Sequence, residues 1–142
     1  MTDAPATTTL LPNPLPLDAN ARIALFAFRR MGAHGLADAH AAQMMFTAFG
    51  AQFRRPLLLM RALMADIAAN AACSIAIAPC CCPRATASET AFLTILARAE
   101  TAPETARLLL ADLLGHRRID GALASATAVA AAFADAGRPI GA

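Results

Sequence analysis

Between Pro56 and Ala71 the chain carries Leu57, Leu58, Leu59, Met60, Leu63, Met64 and Ile67, so large apolar side chains wrap most of one helical circumference. Arg61, Asp66 and Asn70 leave only a thin polar edge, and Pro56 is a natural first helical residue. A helix with so little polar surface has to be surrounded by other helices, which makes this stretch the expected centre of a bundle. The remaining material suits that architecture. Hydrophobic residues make up 58% of the chain, much of it alanine, while aromatics are 5% and Trp and Tyr are absent. Small side chains allow close helix packing, whereas strands favour β-branched and aromatic residues.

Caps and breakers divide the rest into helices. Asp18 or Asn20 can cap a helix over Ala21 to Ala33, with Ile23, Leu25, Phe26 and Phe28 on its apolar side. Arg29 and Arg30 suit the negative end of that helix, and Gly32 and Gly35 mark its stop. Asp38 opens a second helix through Ala48, crowded by Met44, Met45, Phe46 and Phe49 before Gly50. Thr86-Ala87-Ser88-Glu89 is a capping box ahead of Phe92, Leu93, Ile95 and Leu96. The same signal recurs fifteen residues on as Thr101-Ala102-Pro103-Glu104, followed by Leu108 to Leu114 and Gly115, which predicts two capped helices in a tight hairpin. Asp120 can cap an alanine-rich last helix from Gly121 to Ala136. Ser74-Ile75-Ala76-Ile77-Ala78 alternates weakly, like an extended segment.

The expected fold is therefore all-α: a single compact bundle of five or six short helices, with a short extended segment before a cysteine cluster. Residues 1–17 contain Pro5, Pro12, Pro14 and Pro16 and are expected to form a flexible or extended arm, with residues 18–140 as a single helical domain.

Twelve basic against ten acidic residues is too even a balance to favour nucleic acid, although every basic residue is arginine. No stretch approaches the ~20 apolar residues that a membrane helix requires. Met1 to Leu17 has no basic residue and no apolar run, so it does not read as a secretory signal. The expectation is a soluble cytoplasmic protein, in which cysteines are free, metal-bound or redox-active in preference to forming structural disulfides.

Three of the four cysteines fall in Pro79-Cys80-Cys81-Cys82-Pro83. On an extended backbone Cys80 and Cys82 point one way and Cys81 the other. Cys80 and Cys82 with Cys73 and one histidine would give the sulfur-rich tetrahedron that a soft metal such as Zn²⁺ or Cu(I) favours, without the paired C-x-x-C spacing of ordinary zinc sites. Alternatively Cys82, as the N-cap of a helix starting at Pro83, would gain thiolate character; the capping box argues for a later start at Ala87. The third alternative is a buried turn in which cysteine acts as a small hydrophobe.

His34 and His40 flank a glycine-marked turn and do not share a helical face as an i, i+4 metal pair would. Arg54 and Arg55 precede Pro56 at a helix N-terminus, where two cations call for an anion or an internal carboxylate. No Ser/His/Asp order, paired acid set or glycine-rich phosphate loop is present, so enzyme activity is the less favoured class.

Taken together, Phe28-Arg29-Arg30-Met31-Gly32-Ala33-His34-Gly35, Asp38-Ala39-His40-Ala41-Ala42, the Pro-Cys-Cys-Cys-Pro cluster and Leu108-Leu109-Leu110-Ala111-Asp112-Leu113-Leu114-Gly115 resemble a family of short uncharacterised proteins from alphaproteobacterial genomes. The resemblance spans about residues 10 to 140. It implies a bacterial cytoplasmic origin and no particular activity.

The function expected from these residues is a small helical binding or regulatory protein. Its cysteine turn would bind a soft metal or act as a reactive thiol site. The alternative is an interaction module, a homo-oligomer or adaptor with inert cysteines, docking through the alanine-rich last helix or the Met/Phe-rich end of the second.

Overall fold

The computed structural model describes residues 11–141, and among them it forms an all-α bundle. Its helices are α1 (Ala19–His34), α2 (Ala39–Phe49), α3 (Arg54–Asn70), α4 (Ala87–Arg98), α5 (Pro103–Leu114) and α6 (Asp120–Asp135). A single 3₁₀ turn, Gly50–Gln52, joins α2 to α3. Among the described residues, no helix is long and apolar enough to cross a membrane.

Local chemistry explains most of the boundaries. Asp18, not Asn20, caps α1 by accepting the Ala21 N–H at 2.8 Å, and Asp38 caps α2 through the Ala41 N–H at 2.9 Å. Thr86 and Glu89 complete both halves of the capping box, which fixes the start of α4 at Ala87 and removes Cys82 from any N-cap position. The second box does not form. Ala102 is the N-cap of α5 without a side-chain bond, because Pro103 takes the first helical position that proline prefers and shifts Glu104 out of register. Asp120 likewise falls inside α6 and pairs with Arg107 instead of capping.

The core forms where α3 meets α6 and where α4 meets α5, with α1 bridging α2, α3 and α4. In α3, Pro56, Leu57, Met60, Leu63, Met64 and Ile67 are buried, an i, i+3, i+4, i+7 stripe. Leu58 is 58% exposed, so α3 is amphipathic and not surrounded on all sides. The alanine-rich face of α6 is spent inside the bundle, burying Ala122, Ala126, Val129, Ala130, Ala132 and Phe133. Phe28 of α1 stacks on Phe92 of α4 with ring centroids 4.1 Å apart.

Residues 11–17 run along the bundle, and residues 1–10 lie outside the described part. Strand β1 (Asn13–Pro14) pairs antiparallel with β2 (Arg84–Ala85), in register Asn13 to Ala85. The extended segment expected at Ser74 to Ala78 forms no strand. Pairing occurs instead just after the cysteines, where the Arg84 side chain also donates to the carbonyls of Leu11 (2.8 Å) and Pro12 (2.7 Å) and so reinforces it.

Candidate functional site

The residues between α3 and α4 are organised by an ion pair inside the bundle. Arg29 of α1 and Glu89 of α4 are only 3% and 0% exposed. The Arg29 Nε donates to Glu89 Oε2 at 2.8 Å and Nη2 to Oε1 at 3.0 Å, a two-pronged contact that suits a planar guanidinium. Burying two charges is costly unless their remaining hydrogen-bonding capacity is met, and here the loop meets it. Arg29 donates Nη1 to the Cys82 carbonyl (3.0 Å) and Nη2 to the Arg84 carbonyl (2.7 Å). Glu89 accepts the Ala78 N–H and the Thr86 N–H, each at 2.9 Å. Thr86 adds a bond from its hydroxyl to the Ala76 carbonyl at 2.7 Å. Five backbone positions of one loop are thus tied to a single buried pair and its neighbour.

The cysteines occupy the tip of this loop. Cys82 N–H bonds the Pro79 carbonyl at 3.0 Å, closing a β-turn in which Cys80 and Cys81 are the two central residues. Among the described residues no non-glycine has positive φ and no peptide is cis, which excludes types II, I′, II′ and VI for this turn. A turn does not alternate its side chains as a strand does. The Cys80 and Cys81 sulfurs therefore lie together, 3.5 Å apart, and the expected pairing of Cys80 with Cys82 is replaced by a vicinal pair. The turn is clamped at both roots, through Ala78 to Glu89 and through Cys82 to Arg29.

Arg30, one residue beyond the buried arginine, stands beside Cys80. The Cys81 thiol, and after it the Arg30 guanidinium, hold the Cys80 thiol below the ordinary cysteine range, against partial desolvation. Cys80 in turn raises the Cys81 thiol. Arg30 is oriented from its other side: Nε and Nη2 donate to Asp38 Oδ2 (3.0 Å) and Oδ1 (2.9 Å), and Nη2 donates to His40 Nδ1 (2.8 Å), which leaves that ring's proton on Nε2. The bidentate contact to Arg30, reinforced by the Ala41 N–H, lowers Asp38 to about 2. A cleft of about 550 Å³ opens beside Cys80, lined among others by Arg30, His34, Ile75 and Ile77. Gly32 at its wall packs closely on Ile77: a Cβ there would overlap Ile77 Cδ1 and force the end of that side chain to shift.

Other residues singled out in the sequence are dispersed. Cys73 lies at the opposite end of the loop, with Sγ 3.5 Å from the Leu113 carbonyl and close against Gly115, whose φ of 79° ends α5. It does not join Cys80 and Cys82, and no group of three or more His, Cys, Asp or Glu side chains among the described residues is placed to hold one metal ion. His40 bonds Arg30 and His34 lines the same cleft as Arg30 and Cys80, but among the described residues neither joins a group of three or more potential metal ligands. Cys82, like Cys80, is half-buried, and all three cysteines of the turn line a small cleft with Leu15, Leu25 and Phe26. At the start of α3, Arg55 has an internal carboxylate, Asp135, at 2.8 Å, and Arg54 lies over the Phe53 ring with 5.9 Å to its centroid.

A family model described as a family of unknown function (DUF6628) matches residues 1–131. The chain belongs to this family. No curated protein and no solved structure matches it. Membership fits the resemblance seen in the sequence, since neither carries an activity, and the chemistry of this family member has to be read from its own residues.

In sequence Arg29 reads as a helix-end charge and Glu89 as a capping residue, and the structure makes them a buried pair. A signal was present. Ala21, Leu25 and Phe28 are buried on one stripe of α1, and Arg29 falls on that stripe, four residues after Leu25. A charge on a buried stripe requires a buried partner of opposite sign.

Proposed function

We propose that this protein is a small regulatory or binding protein of the bacterial cytoplasm whose chemistry resides in a reactive thiol, Cys80, on the Pro79–Cys82 turn. The observation that carries this is the vicinal pair: the Cys80 sulfur has another thiol 3.5 Å away and an oriented arginine beside it. Thiolate, not thiol, is the nucleophile, and a neighbouring cation and a hydrogen-bond donor both favour it. Four unpaired cysteines, three of them on this turn, suit a reducing compartment. A soft-metal role has less support, because the ligand set it needs is not assembled.

The test is the pH dependence of alkylation at each cysteine, followed by mass spectrometry. Cys80 is expected to react fastest at neutral pH, and Arg30→Ala to slow it several-fold and move its rate profile to higher pH. Equal rates at Cys80 and Cys73, or no response to Arg30→Ala, would remove the basis for a reactive thiol.

A further inference from the structure

Resting on the reactive-thiol reading of Cys80, we infer that the turn is a two-electron redox couple: a hydroperoxide oxidises Cys80, and Cys81 resolves it to a Cys80–Cys81 disulfide between adjacent residues. The geometry names the resolving partner. The two sulfurs are 3.5 Å apart, so they have to close by only roughly 1.5 Å to reach the bond length of about 2 Å. Cys82 is the poorer partner: its N–H is held by the Pro79 carbonyl and its own carbonyl by buried Arg29, which fix its backbone at the root of the turn. Cys73 is tethered to the end of α5.

The oxidant class follows from access and charge. Cys80 opens on a cleft of about 550 Å³, room enough for a small peroxide, and Arg30 at its edge can donate to the peroxide oxygens. The Cys80 thiolate attacks the terminal peroxide oxygen; the S–O bond forms, the O–O bond breaks, and the leaving alkoxide or hydroxide takes a proton from solvent. The Cys81 sulfur then attacks the sulfenic sulfur; the S–S bond forms, the S–O bond breaks, and the departing hydroxide takes the Cys81 proton as water. Two thiols are oxidised by two electrons and one hydroperoxide is reduced to an alcohol, or to water, with one further water released.

The disulfide is expected to be labile. Adjacent Cα atoms are held about 3.8 Å apart by a trans peptide, whereas ordinary disulfides span about 4.4–6.8 Å. Such strain makes the bond easily reduced, as befits a reversible couple. Clamping of both roots by Arg29 and Glu89 confines the strain to the turn and leaves the bundle intact.

The experiment treats reduced full-length protein with one equivalent of hydrogen peroxide and reads intact mass and tandem fragmentation. The expected product has lost two hydrogens, gives no fragment break between Cys80 and Cys81, and returns to dithiol with a small dithiol reductant. Cys81→Ser should abolish that product and leave a Cys80 sulfenic acid captured by a dimedone-type probe, whereas Cys73→Ser should oxidise at the unaltered rate. A disulfide mapped to Cys82 or Cys73, or Cys80 oxidised past sulfenic acid with Cys81 present, overturns the couple while leaving fast Cys80 alkylation, and so the reactive-thiol function, standing. Slow alkylation of Cys80 overturns both.

Discussion

Replacing Arg29 by alanine should be among the most damaging single changes available to this bundle. The substitution removes four hydrogen bonds, two to Glu89 and one each to the Cys82 and Arg84 carbonyls. Glu89 is left 0% exposed with only the N–H groups of Ala78 and Thr86. Hydrogen bonds to charged groups contribute roughly 1.5–3 kcal/mol each, so four counted separately overshoot, because the loop relaxes and water enters. The better guide is the removal of one partner from a buried pair, which costs about 3–5 kcal/mol. A domain of this size is stable by roughly 5–15 kcal/mol, so the melting temperature should fall by roughly 10–20 °C. Urea unfolding followed by circular dichroism gives the free energy, and labelling of Cys80, Cys81 and Cys82 in native buffer reports the turn. Exchanging both partners, Arg29→Met with Glu89→Leu, should recover much of the stability, since apolar replacements of buried pairs are often neutral, but not the native labelling pattern, because the clamp is gone. A cost below about 1 kcal/mol for Arg29→Ala, set against the ~3–5 expected, or unchanged labelling in either variant, would refute the clamp.

Thr86→Ala should cost about 1–2 kcal/mol as a lost N-cap, and also frees the Ala76 carbonyl; equilibrium unfolding measures it. Asp38 is depressed from 3.8 to about 2 in the folded chain, so its stabilising contribution is complete above pH 3.8 and lost as pH falls toward 2. Asp38→Asn should flatten that part of the acid-unfolding curve, and a carboxyl titrating near 3.8 in an NMR titration would contradict the bidentate contact to Arg30. Arg55 and Asp135 form a solvent-exposed pair, so Arg55→Ala should change stability by no more than about 0.5–1 kcal/mol and lose most of even that at high salt.

Helix number and order were legible because the ends carry chemistry that acts locally: Asp18, Asp38 and the Thr86–Glu89 box start helices, and Gly50 and Gly115 close them. Where two local rules competed, the sequence misled. Pro103 claims the first position of α5 and defeats the second capping box. The site was harder to read, because it depends on contacts across the chain. The neighbours of Cys80 became visible only once the Pro79 carbonyl was seen to close a turn, which sets Cys80 against Cys81 and not Cys82. Arg29 and Glu89 are sixty residues apart, and no local pattern joins them. The β1–β2 pair is two residues per strand and is joined by an arginine reaching back to the arm, a long-range contact that strand propensity does not reveal.

The central claim is that the folded turn, not cysteine itself, makes Cys80 distinctive. Site-resolved labelling of all four cysteines with a limiting alkylating reagent, in native buffer and again in concentrated urea, tests it in one experiment. Cys80 should be labelled well ahead of Cys81, Cys82 and Cys73 in the folded protein, with the four rates converging on unfolding. Labelling that is even in the native state, or led by Cys73 or Cys81, would contradict it.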